Sequence, residues 1–252
     1  MSKKHTHHKS CKLAGFNNLK KALSFSFYDF VIAPSKEDKF SYIDYINKNY
    51  SAKKISILLN EIVNIIGANV LYTSLQDYEP FGASSLMLLS DIKAIEPLSM
   101  HLDKSHITAH TYPDFNENNN ILSFRVDIEL STCGEINPLT SLNKIFNFFD
   151  TDIVTIDYVV RGFTRNEDGK HIFIDHEIDS IKNYIDDEIL KDYILEDLIL
   201  KKQNIWQLKL LRKKMQVCEY FSPDTKIQKS EQERFVQKLR EEMQSVFKNT
   251  LL

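Results

Sequence analysis

An α+β fold, with helices beside an antiparallel β-sheet, is the architecture that the sequence predicts. The stretch 121–130 alternates apolar and polar residues, as a strand does when one of its faces covers a core. The stretch 51–66 instead repeats apolar residues at helical spacing. Hydrophobic residues make up 42% and charged residues 27% of the 252-residue chain, which is ordinary for a globular protein with a sizeable core.

The first half of the chain alternates between strand and helix patterns. A turn at Gly15 leads into a strand that reaches Phe30. Helices are expected over about 36–48 and from 51 towards 66, and Gly67 is well placed to end the second helix. Further strands are expected at 70–78, 83–89, 106–112 and 121–130.

The second half favours helix, then strand, then helix again. Pro138 opens a helix that continues to Phe149, and a strand follows at 152–163. Between residues 179 and 214, isoleucine and leucine recur at helical spacing in several registers, which favours more helix.

A capping box formed by Ser230 and Glu233 predicts a final helix. Its apolar stripe consists of Phe235, Leu239, Met243 and Val246. We see no repeat, no low-complexity linker and no clear domain boundary. We therefore expect one domain over 13–252, preceded by a flexible basic tail at 1–12.

Charge and composition argue against several classes of protein. A net charge of −3 and a pI near 6.3 disfavour nucleic-acid binding, and no apolar run approaches the roughly 18 residues of a membrane span. The N-terminal segment lacks the apolar part of a secretory signal, and its tract of His5, His7 and His8 is more typical of a solvated tail than of a metal site. Three widely spaced cysteines suit reduced thiols. These features predict a soluble cytoplasmic protein.

The most informative stretch is HLDKSHITAHTYPD at 101–114, with Cys133 further along the chain. Ser105 follows a lysine, and His110 comes five residues later. A serine hydroxyl can attack the carbonyl that precedes it, a histidine can take a proton near neutral pH, and a cysteine can donate one. Together they would let the chain cut itself and convert Ser105 into a ketoacyl group.

Such a group would serve a decarboxylase, because loss of carbon dioxide leaves a carbanion that no ordinary side chain can stabilise. A ketoacyl group forms a Schiff base with a substrate amine and accepts the electron pair. Plainer readings stay open: Lys-Ser pairs are common, a strand histidine is usually structural, and a lone cysteine is usually a small hydrophobe. In a straight strand, Ser105 and His110 would also face opposite ways. The cut therefore needs a bend, a loop, or a base acting from another direction.

Several motifs resemble those of the pyruvoyl-dependent S-adenosylmethionine decarboxylases in their longer bacterial form. In chain order they are GFNNL at 15–19, IGANVLYTSLQDYEPFGAS at 66–84, HLDKSHITAHTYPD at 101–114, FRVDIELSTCG at 124–134, DIVTIDYVVRGFTR at 152–165 and FIDHEIDSI at 173–181. The resemblance implies a sandwich of helices and antiparallel sheet. It also implies conversion of S-adenosylmethionine to carbon dioxide and the aminopropyl donor for spermidine biosynthesis.

The resemblance further implies autocleavage between Lys104 and Ser105. Residues 1–104 would become the β chain, and residues 105–252 the α chain, which begins with a pyruvoyl group made from Ser105. Family members assemble as oligomers, so the resemblance implies a homo-oligomer of αβ units. Magnesium stimulates the longer bacterial relatives.

Six further site residues follow from the resemblance. His110 takes the position of the processing base, and Cys133 that of the acid that protonates the substrate carbanion. Ser84 takes the position of a serine that assists processing, although it also suits a plain turn. Tyr78, Tyr112 and Asp114 take the positions of two adenine-stacking aromatics and a ribose-binding acid. Asp114 is shorter than the usual glutamate, and the tyrosines also suit the rim of a core.

Two other functions stay open on the sequence alone. The same pyruvoyl scaffold can decarboxylate another amino acid, such as arginine or ornithine. Alternatively, the chain is an uncleaved regulatory subunit that activates a partner enzyme, although the presence of Ser105, His110 and Cys133 disfavours that function. The acidic residues Asp175, Glu177 and Asp179 are weak candidates for a magnesium site, because no dedicated cage of oxygen ligands is visible.

Overall fold

A computed structural model describes residues 17–91, 105–115, 118, 120–149, 151–221, 225 and 227–250. The strands of its main sheet are β1 Lys20–Ile32, β2 Ala68–Asp77, β3 Ala83–Asp91, β4 Ser105–Pro113, β5 Ile121–Thr132, β6 Ile153–Arg161, β9 Tyr193–Leu200 and β10 Ile205–Arg212. They form one sheet in the order β2-β3-β4-β5-β1-β6-β10-β9, and every pair is antiparallel. A separate ribbon pairs β7 Thr164–Arg165 with β8 His171–Ile172.

The helices are α1 Lys36–Asn49, α2 Ala52–Ile66, α3 Leu142–Phe146, α4 Asp187–Leu190 and α5 Lys229–Lys248. Short 3₁₀ turns lie at Pro138–Ser141, Ile181–Tyr184, Lys201–Gln203 and Val217–Tyr220. A capping box between Ser35 and Asp38 begins α1. Gly67 ends α2 at φ +73°, as the sequence predicts. In the described part of the chain, no helix is long and apolar enough to cross a membrane.

One face of the sheet packs against α1 and α2. Leu58 and Leu59 of α2 are completely buried in one cluster with Phe25 and Phe27 of β1. The apolar stripe that predicts α2 is therefore the stripe that meets the sheet. This confirms the expected α+β architecture of helices on an antiparallel sheet.

The opposite face is covered by α5 at one end. Leu239 and Met243 of α5 pack there against Phe30 and Leu211. Phe30 lies three residues from Phe27, so their side chains leave β1 on opposite faces. We call the rest of this surface the open face; it bears the half-buried residues Ser84, Leu86, His106, Thr108, His110 and Asp127.

The expectation of helix between residues 179 and 214 is wrong. Apart from the four-residue α4 and short turns, this segment forms the hairpin of β9 and β10. Trp206, Leu208 and Leu210 are buried, whereas Gln207 and Lys209 between them are partly exposed. A dense apolar segment fits both periodicities, and pairing of β10 with β6 decides in favour of strand.

Two helix boundaries also differ from expectation. The segment from Pro138 to Phe149 holds a 3₁₀ turn and the five-residue α3, not one continuous helix. The predicted capping box at Ser230 and Glu233 is wrong, because α5 begins at Lys229 with Gln228 as its cap. Within the predicted stripe, Leu239 and Met243 are buried, and Phe235 and Val246 are partly buried.

Replacing Leu59 with alanine is expected to lower the free energy of unfolding by about 2–5 kcal/mol, because it opens a cavity between α2 and the sheet. Ile57→Ala in the same helix is the matched control. Its side chain is 53% exposed, so the loss should stay below about 0.5 kcal/mol. Urea unfolding followed by circular dichroism measures both values. Equal losses would contradict the assigned packing face of α2.

Candidate active site

Ser105 and Cys133 lie together at one end of the sheet. Ser105 is the first residue of β4 and is 3% exposed. The backbone N–H of Cys133 donates to the Ser105 hydroxyl at 3.1 Å. Cys133 directly follows β5, and Gly134 turns the chain there at φ +67°. The end of β5 thus places Cys133 next to the Ser105 hydroxyl. The predicted cleavage partner Lys104 and the basic tail 1–12 lie outside the described residues.

A second group of predicted site residues lies on the open face. Ser84 of β3 stands directly opposite His110 of β4. The Tyr78 hydroxyl donates to the Ser84 hydroxyl at 2.9 Å. The Tyr112 ring is stacked beside His110, with ring centroids 6.3 Å apart and planes 27° apart. The structure therefore brings together two pairs of predicted residues, Tyr78 with Ser84 and His110 with Tyr112, that lie on separate strands or turns.

The turn between Tyr78 and Ser84 is attached to β4. The Thr111 hydroxyl oxygen accepts from the backbone N–H of Ala83 at 2.7 Å. Gly82 has φ +101°, and a Cβ there would lie 3.2 Å from the Thr111 carbonyl oxygen and 3.6 Å from the Tyr78 ring. Only glycine suits this close approach, which holds Tyr78 against the end of β4.

Arg125 and Asp127 belong to the same group, although sequence reasoning did not select them. Asp127 of β5 pairs directly with His110, and its carboxylate accepts from the Ser26 hydroxyl at 2.8 Å. The Arg125 guanidinium lies 4.3 Å from the centroid of the Tyr112 ring and 3.3 Å from Asp127. The alternation of β5 marks both as outward residues, but only the pairing of β5 with β4 places them beside His110.

Ser105 and His110 do not meet within one chain. Ser105, Ile107, Ala109 and Thr111 are buried on the helix side, whereas His106, Thr108 and His110 alternate onto the open face. Five residues of strand also separate Ser105 and His110 by roughly 16 Å at about 3.3 Å per residue. The described part of β4 contains neither the bend nor the loop that would reverse this arrangement.

Asp114 lies just beyond β4 and is exposed. Its backbone N–H donates to the Ser123 carbonyl at 2.7 Å, which extends the pairing with β5. Burial raises the pKa of Glu242 in α5, and the nearby charge of Asp114 adds to that rise. Asp114 thus lies near Glu242 of α5, at the same end of β4 as Tyr112.

A buried ion pair lies next to the Cys133–Gly134 turn. The Lys21 ammonium of β1 is completely buried and donates to the Gly134 carbonyl at 2.8 Å and to Asp175 at 2.7 Å. Asn17 donates to the same two acceptors, at 2.9 and 2.8 Å. His176 lies 2.8 Å from the other Asp175 oxygen. Sequence reasoning noted Asp175 only as a weak metal candidate and did not single out Lys21.

Burial shapes the charge states of this pair. It lowers the pKa of Lys21, and the neighbouring Asp175 carboxylate only partly offsets the effect. Burial also tends to raise the pKa of Asp175, but hydrogen bonds from His176 and Lys21 outweigh it and hold the pKa well below its usual range. Asp175 is therefore ionised at neutral pH.

No metal centre is visible among the residues that the structure describes. No three histidine, cysteine, aspartate or glutamate side chains of that set lie close enough together to hold an ion. Asp179 pairs with Lys201 at 2.7 Å, and Asp175 pairs with Lys21. These acidic side chains therefore do not fit magnesium as they stand.

Comparison with the sequences of known proteins gives one consistent result. The family model described as S-adenosylmethionine decarboxylase matches residues 45–162. An S-adenosylmethionine decarboxylase proenzyme from Clostridium botulinum is 42% identical, with 95% of this chain and 96% of that protein covered. One from Pseudomonas paraeruginosa is also 42% identical, over 94% and 96% of the two chains. The adenosylmethionine decarboxylase crystal structure from Aquifex aeolicus covers 64% of this chain and 98% of its own, at 15% identity and a TM-score of 0.35.

Replacing Asp175 with asparagine is expected to lower the free energy of unfolding at pH 7 by about 3–5 kcal/mol, because Lys21 would keep a buried charge without its partner. The lowered pKa of Asp175 makes its contribution fully present above about pH 4. The contribution disappears as pH falls through the folded-state pKa, so the two proteins should converge in acid.

Asp179→Asn provides the control for this measurement. Asp179 also pairs with a lysine, but its side chain is 82% exposed, so its loss should change stability little. Urea unfolding at several pH values compares the two variants. Equal losses, or a loss at Asp175 that grows in acid, would contradict the assigned ion pair.

Proposed function

The chain belongs to the S-adenosylmethionine decarboxylase family, and we propose that it is a proenzyme that cuts itself between Lys104 and Ser105. The cut chain decarboxylates S-adenosylmethionine and releases carbon dioxide. Its product is the aminopropyl donor for spermidine biosynthesis. The observation that carries this proposal is the hydrogen bond from the Cys133 backbone to the Ser105 hydroxyl. It joins the proposed cofactor precursor to the proposed proton donor.

Processing begins with attack of the Ser105 hydroxyl on the carbonyl of Lys104. The peptide becomes an ester, a base removes the α-proton of residue 105, and elimination releases the Lys104 carboxylate and leaves dehydroalanine. Hydrolysis of its imine form then releases ammonia and leaves the pyruvoyl group. The result is a β chain of residues 1–104 and an α chain of residues 105–252. The Cys133 N–H is already within reach of the Ser105 oxygen, where it can orient the hydroxyl for attack.

Decarboxylation uses the same end of the sheet. The pyruvoyl group supplies the electron sink that accepts the electron pair left by carbon dioxide. Cys133 then delivers its thiol proton to the substrate α-carbon. Its position supports this role, because it is partly buried and adjoins residue 105.

His110 serves as the processing base for a neighbouring copy of the chain. Its own Ser105 lies about 16 Å away along β4 and on the other face of the sheet. A proton cannot pass directly over that distance. We therefore propose that the chain forms a homo-oligomer of αβ units. The open face of one copy, which carries His110, completes the site around Ser105 of another copy. Ser84, hydrogen-bonded to Tyr78, would enter the neighbour's site together with His110.

Tyr78, Tyr112 and Asp114 form the proposed nucleoside site on that face. Both tyrosines are exposed, at 40% and 45%, and so can offer ring surface to adenine. Arg125 already covers one face of Tyr112. Adenine would have to stack on the face that Arg125 leaves free. Asp114 is exposed at the same end of β4, where its carboxylate can accept ribose hydroxyls.

Magnesium activation and a cytoplasmic location stay predictions. The acidic side chains described above do not form a metal site, so no residue is assigned to magnesium and no step depends on it. Removal of magnesium with EDTA, followed by activity measurement, tests the activation directly.

Wild-type protein should release labelled carbon dioxide from carboxyl-labelled S-adenosylmethionine, and the Ser105→Ala variant should release none above background. The variant cannot form the ester and has no electron sink. Carboxyl-labelled arginine and ornithine serve as control substrates in the same assay. A preference for either amino acid over S-adenosylmethionine would contradict the proposed substrate, and full activity of Ser105→Ala would contradict the mechanism.

The His110→Ala chain should stall as the ester when expressed alone, so hydroxylamine should cleave it. Co-expression with a differently tagged Ser105→Ala chain should restore spontaneous cleavage of the His110→Ala chain, because the partner supplies the missing imidazole. Gel electrophoresis resolves the two tagged chains. If the His110→Ala chain stays uncut in mixed oligomers, the base does not act between copies.

A further inference from the structure

Lys21 is a charged residue that the proposed function does not use. Its side chain is completely buried at the middle of an eight-stranded sheet, where β1 pairs with both β5 and β6. Burying an ion pair costs desolvation energy that an apolar pair of similar size would avoid. Lys21 is therefore poorly explained by stability alone, and its surroundings point to another role.

The surroundings of Lys21 place it at the Cys133 turn. It stands opposite Thr132, the last residue of β5, and its ammonium donates to Gly134 at 2.8 Å. Cys133 is the residue between Thr132 and Gly134. A positive charge is thus fixed beside the backbone that carries the thiol.

A chain of contacts fixes the ammonium in turn. Asp175 accepts from Lys21 at 2.7 Å, and its other oxygen lies 2.8 Å from His176 Nδ1. His176 Nε2 lies 3.0 Å from the hydroxyl of Tyr158 on β6. Asn17 donates to both Gly134 and Asp175. Side chains from three separate parts of the sequence therefore hold one charge in place.

We propose that Lys21 is a positioning residue for Cys133, which holds the Cys133–Gly134 turn in place and stabilises the thiolate that forms when Cys133 gives up its proton. This inference rests on the proposed function. In the step concerned, a C–H bond forms at the substrate α-carbon as the S–H bond breaks, and the S–H electron pair stays on sulfur. A proton from water restores the thiol. The Lys21 ammonium stabilises the negative sulfur in between.

The charged groups that face Lys21 agree with this role. Asp175 is its ion-pair partner, and the negative forms of Cys133 and Glu135 act on it more weakly. Burial disfavours the charged form of Lys21 and lowers its pKa, whereas all three negative groups favour the charged form. Lys20, the preceding residue, is exposed and lies on the other side of β1.

The experiment compares Lys21→Met and Lys21→Arg with the control Lys20→Met. Intact mass first gives the fraction of each protein that has been cut, and activity is expressed per cut chain. If wild-type protein is not cut, that result contradicts the proposed function. The Lys21 proposal is contradicted only by the results on cut protein given below. The double variant Lys21→Met/Asp175→Asn removes both buried charges and replaces the single variant if that does not fold.

Lys21→Met should lower kcat by roughly tenfold to a hundredfold, the usual cost of a lost hydrogen bond to a charged group, while KM changes less than about twofold. Misdirected protonation should also increase. In that side reaction the amine passes to residue 105, which becomes alanine, and the substrate leaves as an aldehyde whose oxygen comes from water. N-terminal sequencing of the α chain would then read Ala-His-Ile-Thr. The fraction of α chains that begin with alanine in Cys133→Ala gives the value expected when the proton donor is lost completely.

Alkylation of Cys133 by iodoacetamide, followed by peptide mapping, provides a test independent of turnover. The pH at which its rate is half-maximal should rise in Lys21→Met and stay near the wild-type value in Lys21→Arg and Lys20→Met. A Lys21→Met protein with wild-type kcat would overturn the proposal. So would a fall in kcat with no change in the alkylation profile or in the alanine fraction, because a merely structural role predicts that result.

Discussion

The alternation of side chains along β4 is the constraint on which the rest of the site depends. Residues 105, 107, 109 and 111 face the helices, and residues 106, 108, 110 and 112 face the other way. Pairing with β3 and β5 prevents the strand from rotating, so Ser105 and His110 cannot approach each other within one chain. In the mechanism that we propose, this strand supplies a nucleophile to its own site and a base to a neighbour's site. The proposed oligomer would then take part in the chemistry as well as in the packing.

The second organising interaction is the buried pair of Lys21 and Asp175. It connects the first strand, the turn after β5 and the segment after β8, which are far apart in sequence. The C-terminal third of the chain thereby reaches the end of the sheet that carries Ser105 and Cys133, through Asp175 and His176. The strands β9 and β10 extend the sheet beyond β6 and support Tyr158, which holds the far end of the same network.

Strong local periodicity made much of the fold predictable. The stripe of α2, the alternation of β5 and the glycine that ends α2 needed no tertiary information. The hairpin of β9 and β10 was missed because its dense isoleucine and leucine content suits either period until β6 is present as a partner. Short motifs were enough to select the candidate site residues Ser105, His110 and Cys133, whose roles stay predictions. Lys21, Arg125 and Asp127 depend on strand register, which short motifs do not reveal.

The central claim is that Ser105, a residue inside the chain, is converted into the pyruvoyl group whose carbonyl takes part in catalysis. The most direct test is the intact mass of freshly purified wild-type protein under denaturing conditions. The account predicts two fragments that meet between residues 104 and 105, the larger of which has no free α-amino group. A single intact chain of 29.4 kDa that releases carbon dioxide from S-adenosylmethionine would contradict it.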